Sequence, residues 1–208
     1  MMSSLTGARH KVPAVLLVAC LTALLGACGL SPQVINIQPE PEVTRSSLGG
    51  NSSVSVTARD ARDGDAFGSR GGVYKETSLI RPANDVPKAL YEAVTQGLHQ
   101  QGFNALNPSA DATTLEVRLT ELSYVPADTS VVNRIEVSAR VEATARRESE
   151  DGSAEHTGRY QSSVTHDMPI TPSARRNEAM INDVLNRTLE RLLSDPKLLS
   201  FLAGNDNP

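Results

Sequence analysis

Between residues 134 and 146 the chain alternates without a break. Ile135, Val137, Ala139, Val141, Ala143 and Ala145 fall on one side, and Arg134, Glu136, Ser138, Arg140, Glu142, Thr144 and Arg146 on the other. A period of two with one apolar and one wet face predicts a half-buried strand of an antiparallel sheet. The same period runs through Val54, Val56 and Ala58, and through Leu115, Val117 and Leu119. In the latter strand the apolar phase moves to Leu122 and Tyr124, which predicts a bulge at Thr120 or Glu121. Residues 73–80 read as a strand returning from Val54 in a hairpin. A polar loop over 147–157 leads to a further strand at 158–167.

Helical spacing replaces alternation twice. Asp85 can cap a helix with Pro87 in its first turn, and Leu90, Ala93, Val94, Gly97 and Leu98 then share one face before Gly102 ends it. Ser173 can cap a longer helix striped by Ile181, Val184, Leu185, Thr188, Leu189 and Leu192. Asp195 and Pro196 open a final helical turn or two. This order predicts an α+β fold: a two-layer sandwich with a mostly antiparallel sheet of about four to six strands and two helices packed on one face.

The N-terminus follows another logic. Arg9 and Lys11 precede an apolar run of about 14 residues, shorter than the span of about 20 that crosses a membrane, so the segment reads as an export signal. Leu25-Gly26-Ala27-Cys28 resembles the bacterial lipobox. The resemblance implies cleavage before Cys28, a diacylglycerol on its sulfur and an acyl chain on its new amino group. Leu17-Val18-Ala19-Cys20 fits the same pattern, but cleavage there leaves an apolar core of only about eight residues. Each buried methylene contributes about 0.8 kcal/mol, so three acyl chains anchor a protein stably where one gives marginal binding. Gly29, in place of the aspartate that retains lipoproteins in the inner membrane, points to the periplasmic face of a Gram-negative outer membrane.

The expected division is a signal peptide over 1–27, a lipidated N-terminus and flexible tether over 28–53, one periplasmic domain over 54–204, and a disordered tail over 205–208. Pro32, Pro39 and Pro41 interrupt any helix in the tether, which would reach roughly 80 Å fully extended. Val34, Ile35 and Ile37 leave open that part of it docks as an edge strand.

Beyond residue 27 lie all 24 acids and all the Lys and Arg except Arg9 and Lys11, which leaves a mature net charge of about −6. With 3% aromatics and no Trp, the chain has neither the basic field nor the stacking platforms of a nucleic-acid binder. His99, His156 and His166 make no close ligand spacing, and the acids around Gly64 do not follow the EF-hand pattern, so no metal or cofactor is expected. His166-Asp167 are neighbours on a strand and point to opposite faces. No nucleophile elbow or metalloprotease helix occurs, so no enzyme is expected. The surfaces left for a partner are the charged strand face of Arg134, Glu136, Arg140 and Glu142, and the 60–72 loop with Phe67 and Arg70.

Taken in order, the lipobox, Asp60-Ala61-Arg62, Gly68-Ser69-Arg70, Gly102-Phe103, the strand from Leu115 to Tyr124, Ile181-Asn182-x-Val184-Leu185, Asp195 and Phe201-Leu202 resemble the YajG family of bacterial lipoproteins. The resemblance implies an outer-membrane lipoprotein of no established biochemical activity and brings no catalytic residues. Three functions are then open: an interaction or scaffold module of the cell envelope, a carrier of lipid, lipopolysaccharide or glycan, and a cell-wall enzyme.

Mass spectrometry of the mature N-terminus checks the first inference. The expected product starts at a triacylated Cys28 in the outer-membrane fraction, and the Cys28→Ala chain is expected to lose the lipid.

Overall fold

The computed structural model describes residues 31–72, 75–127, 133–149 and 152–205. The lipobox residues Leu25, Gly26, Ala27 and Cys28, the alternative Cys20, and residues 206–208 of the expected tail lie outside the described residues.

The described residues fold into one mixed sheet of seven strands with three α-helices. The strands are β1 (Gln33–Ile35), β2 (Val54–Asp60), β3 (Gly68–Ser69), β4 (Leu79–Pro82), β5 (Thr113–Pro126), β6 (Asn133–Ser149) and β7 (Gly152–Met168). The helices are α1 (Val86–Gln100), α2 (Ala174–Leu193) and α3 (Pro196–Leu202). This corrects the expected two-layer sandwich of four to six mostly antiparallel strands under two helices. β5, β6 and β7 are antiparallel, but β2 and β3 pair with β5 in parallel, and β1 pairs with β4 in parallel. Alternation reports which face is buried and carries no strand direction. Direction comes from the connection, and α1 lies between β2 and β5, the crossover that parallel neighbours need.

β5 changes partner along one edge. Its first half pairs with β2, from Val54 opposite Thr113 to Asp60 opposite Leu119, and its end meets β3 at Tyr124. The pairing with β6 slips between Leu119 and Glu121, so the bulge stands where the sequence places it, at the changeover. Gly68, at φ 151°, lets β3 approach there: a Cβ on it would drive into the Tyr124 carbonyl oxygen. The hairpin expected between Val54 and residues 73–80 forms instead between β3 and β4. Likewise the expected 147–157 loop is mostly strand, since β6 and β7 pair through Ser149 and Gly152. Arg146 and Glu155 face each other there as an ion pair at 2.7 Å.

The helices start where their caps predict. Asp85, Ser173 and Asp195 accept from Lys88, Arg176 and Lys197 backbone N–H groups. Leu90, Val94 and Leu98 of α1 and Ile181, Val184, Leu185 and Leu189 of α2 are fully buried in one continuous core with Leu115, Val117, Val141 and the alanines of β6. Alanine at 139, 143 and 145 leaves room for α2 to lie close on the strand. Tyr124 is part of this core, and burial pushes its hydroxyl up to about 12.

Gly68→Ala is expected to cost about 1–3 kcal/mol, because backbone must move to admit the methyl group. The shift of the urea unfolding midpoint measures it.

Candidate functional site

The stretch between the lipobox and β2, assigned by sequence to the tether, is packed against the domain from Gln33 onward. After β1, residues 36–42 run extended along α2 as a strap, with Ile35 and Ile37 each 1% exposed. Its amides are captured by side chains of that helix. The N–H of Asn36 donates to Glu178 Oε2 at 2.8 Å, that of Gln38 to Asn182 Oδ1 at 2.9 Å, that of Glu40 to Asn186 Oδ1 at 2.7 Å, and that of Glu42 to Glu190 Oε1 at 3.0 Å.

The register follows from geometry. Two residues of extended chain advance about 6.6 Å, and four residues of helix about 6 Å, so alternate amides meet acceptors at every fourth helical position. Between them, the Ile37 amide donates to Asn84 Oδ1, whose Nδ2 donates back to the Ile37 carbonyl, both at 2.8 Å. Positions 39 and 41 are prolines and have no amide to satisfy. Every backbone N–H from 36 to 42 is therefore either bonded or missing by design of the sequence. The strap ends against α1, where the Ser46 amide donates to the Gln100 carbonyl and the Gly49 amide to the Gln101 carbonyl.

Between the strap and α1 lies an open groove of about 830 Å³. Pro39 and Pro41 form part of one wall, and Lys88, Tyr91 and Glu92 part of the other, with Leu106 at the end near the α1 C-terminus. Tyr91 is 40% exposed and Leu106 48%, so two large apolar side chains face water here. Glu40, Asp85 and Glu92 outnumber Lys88 among the charged lining residues, which sets a negative field suited to a neutral or basic ligand. Thr95 lines the groove with a buried hydroxyl that has no hydrogen-bond partner.

The residues singled out by sequence lie elsewhere. Phe67 is 3% exposed, a core residue with the Arg62 guanidinium 4.7 Å from its ring centre, and offers no apolar contact to a partner. Arg70 ties the segment before β1 to the loop before α2, donating to the Ser31 and Pro172 carbonyls. Arg134, Glu136, Arg140 and Glu142 do share the wet face of the sheet, where each has a partner. Arg134 pairs with Asp167 at 2.9 Å, Arg140 with Glu121 at 2.8 Å and Glu142 with Arg159 at 2.9 Å, while Glu136 accepts from Ser163. The hydrogen bond and charge of Asp167 hold the Arg134 guanidinium above its ordinary range. Exposed pairs of this kind are screened by water and contribute little, and they make a neutralised, hydrated surface. Asp60 pairs with Arg62, and Asp65 with Arg81, rather than converging on a cation. His166 lies half-buried on the helix side of β7, its pKa lowered by burial and then by Arg176, while Asp167 faces water on the other side.

A family model described as an uncharacterised lipoprotein matches residues 39–203, from the strap to the end of α3. The chain belongs to this family, the YajG family. No curated protein matches the lipoprotein. Among solved structures it is similar to a DUF330 protein from Xanthomonas campestris, with a TM-score of 0.47 and 13% identity over 84% of this chain and 96% of that one. It is also similar to a neuraminyllactose-binding hemagglutinin homologue from Helicobacter pylori, with a TM-score of 0.43 and 8% identity over 82% and 97%. Both likenesses are distant in fold as well as in sequence.

The strap makes a direct prediction. In the double variant Asn182→Ala with Asn186→Ala, three bonds of about 1 kcal/mol each are lost: those from the Gln38 and Glu40 amides, and the one that Asn182 Nδ2 donates to the Asn36 carbonyl. Hydrogen exchange at the Gln38 and Glu40 amides is expected to speed up about tenfold or more, while the β6 amides keep their protection.

Proposed function

We propose that this lipoprotein is a non-catalytic interaction module, anchored through Cys28 in the outer membrane and facing the periplasm, with the strap groove as its partner site. The observation that carries the reading is the groove itself: a concavity whose strap wall is held rigidly by five amide bonds, with exposed Tyr91 and Leu106 along it. Its negative field favours an uncharged or basic segment of an envelope partner over a phosphate-bearing headgroup.

A carrier of lipid or lipopolysaccharide acyl chains needs apolar space beneath the helices. There Leu115, Val117, Leu185 and Leu189 are fully buried in continuous packing, and this weighs against that alternative. The separation of His166 from Asp167 by the sheet weighs against a cell-wall hydrolase built on that pair.

Site-specific photo-crosslinkers at positions 91 and 106 in intact cells test the reading. The expected result is one recurring envelope protein captured from both positions, absent when the crosslinker sits at 140, and reduced several-fold by Glu92→Lys. Equal capture from all three positions, or none across repeated trials, overturns it.

A further inference from the structure

One row of the sheet fixes which end of the domain carries the N-terminus. Gln33 stands opposite Ile80, Ile80 opposite Gly68, Gly68 opposite Tyr124, Tyr124 opposite Val137, and Val137 opposite Val164. Ser31, two residues before Gln33, therefore lies toward the end where β5 finishes at Pro126 and β7 runs out at Met168. Arg70 fastens it there, bridging the Ser31 and Pro172 carbonyls at 3.1 and 3.4 Å. Cys28 is three residues upstream, and three residues of extended chain span at most about 11 Å. The lipid attachment is thus held close to this end of the sheet, rather than on a leash of 25 residues.

That end has the surface chemistry of a membrane contact. Ile170, in the loop between β7 and α2, is 76% exposed, and Val125 at the end of β5 is 55% exposed. In the segments at this end Lys75, Arg175 and Arg176 are exposed and take part in no ion pair among the described residues, while Glu76 follows Lys75 and Glu136 stands opposite Val125. The stretch 169–176 contains two arginines and no acid, in a chain whose net charge is negative. The acid at the end of β7, Asp167, is already paired with Arg134. An exposed Ile170 followed by the unpaired Arg175 and Arg176 matches the boundary between acyl chains and anionic headgroups.

We infer that the β5–β7 end of the domain docks on the anionic phospholipid leaflet that holds the Cys28 acyl chains, with Ile170 inserted at its interface. The inference rests on the lipidation reading above. It orients the molecule: β5 then stands away from the bilayer, and Leu106, beside the other end of that strand, faces the periplasm.

Spin labelling of the full lipidated chain in vesicles of phosphatidylethanolamine and phosphatidylglycerol tests it. With Cys28 acylated, Ile170→Cys, Val125→Cys and Leu106→Cys each offer a single thiol at an exposed position, where labelling disturbs no packing. The expected result is a ratio of oxygen to nickel-chelate accessibility several-fold higher at 170 and 125 than at 106. Equal ratios in chains that co-sediment with the vesicles overturn the docked orientation and leave the lipid anchor standing. Chains that do not co-sediment, and whose N-terminus carries no lipid by mass spectrometry, overturn both.

Discussion

The fold depends on a coincidence of two periods. Extended chain and α-helix advance by nearly equal distances over two and four residues respectively, so one row of short acceptors on α2 can hold alternate amides of an extended segment. Glu178, Asn182, Asn186 and Glu190 supply that row, and Asn36, Gln38, Glu40 and Glu42 the amides. The helix thereby has two faces of different chemistry: its apolar stripe buries against the sheet, and its polar row binds backbone. Substituting proline at 39 and 41 with residues that carry an amide would expose donors on the strap's outer edge, the template that promotes strand addition by other chains. Proline at those places keeps the edge silent.

Much of this was legible in the residues. Caps at Asp85, Ser173 and Asp195 mark the helix starts because an oxygen acceptor before an apolar stripe has few other uses, and the phase change after Leu119 marks the bulge because a strand has no other way to move its apolar residues to odd and then even positions. Strand partners were not legible in the same way. Val54 to Ala58 would alternate identically whether β2 paired with β4 or with β5, and the choice is made by where α1 delivers the chain.

The groove escaped sequence reading for a related reason. Gln-Pro-Glu-Pro-Glu lacks both helical and strand periodicity and reads as a solvated linker until its partner is known. The signal existed 140 residues away, as four amide and carboxylate side chains at exact fourfold spacing on a helix whose opposite stripe is apolar. Phe67 failed in the other direction. Its polar neighbours suggested exposure, yet Arg62 covers it, lying over the ring while its guanidinium is bound by Asp60. Local composition cannot show which apolar residue a long cationic side chain will roof.

The reach of the strap's contacts also sets an order of events. Asn36 and Glu178 are 142 positions apart, and Glu42 and Glu190 are 148 apart. A chain is synthesised N-terminus first, so the strap emerges long before the helix that receives it. Until α2 has folded, residues 36–42 have no row of acceptors to dock on. α2 thus acts as a timer: on the proposed lipidation at Cys28, the strap docks only after this helix has formed, and the interval for modification ends with folding itself.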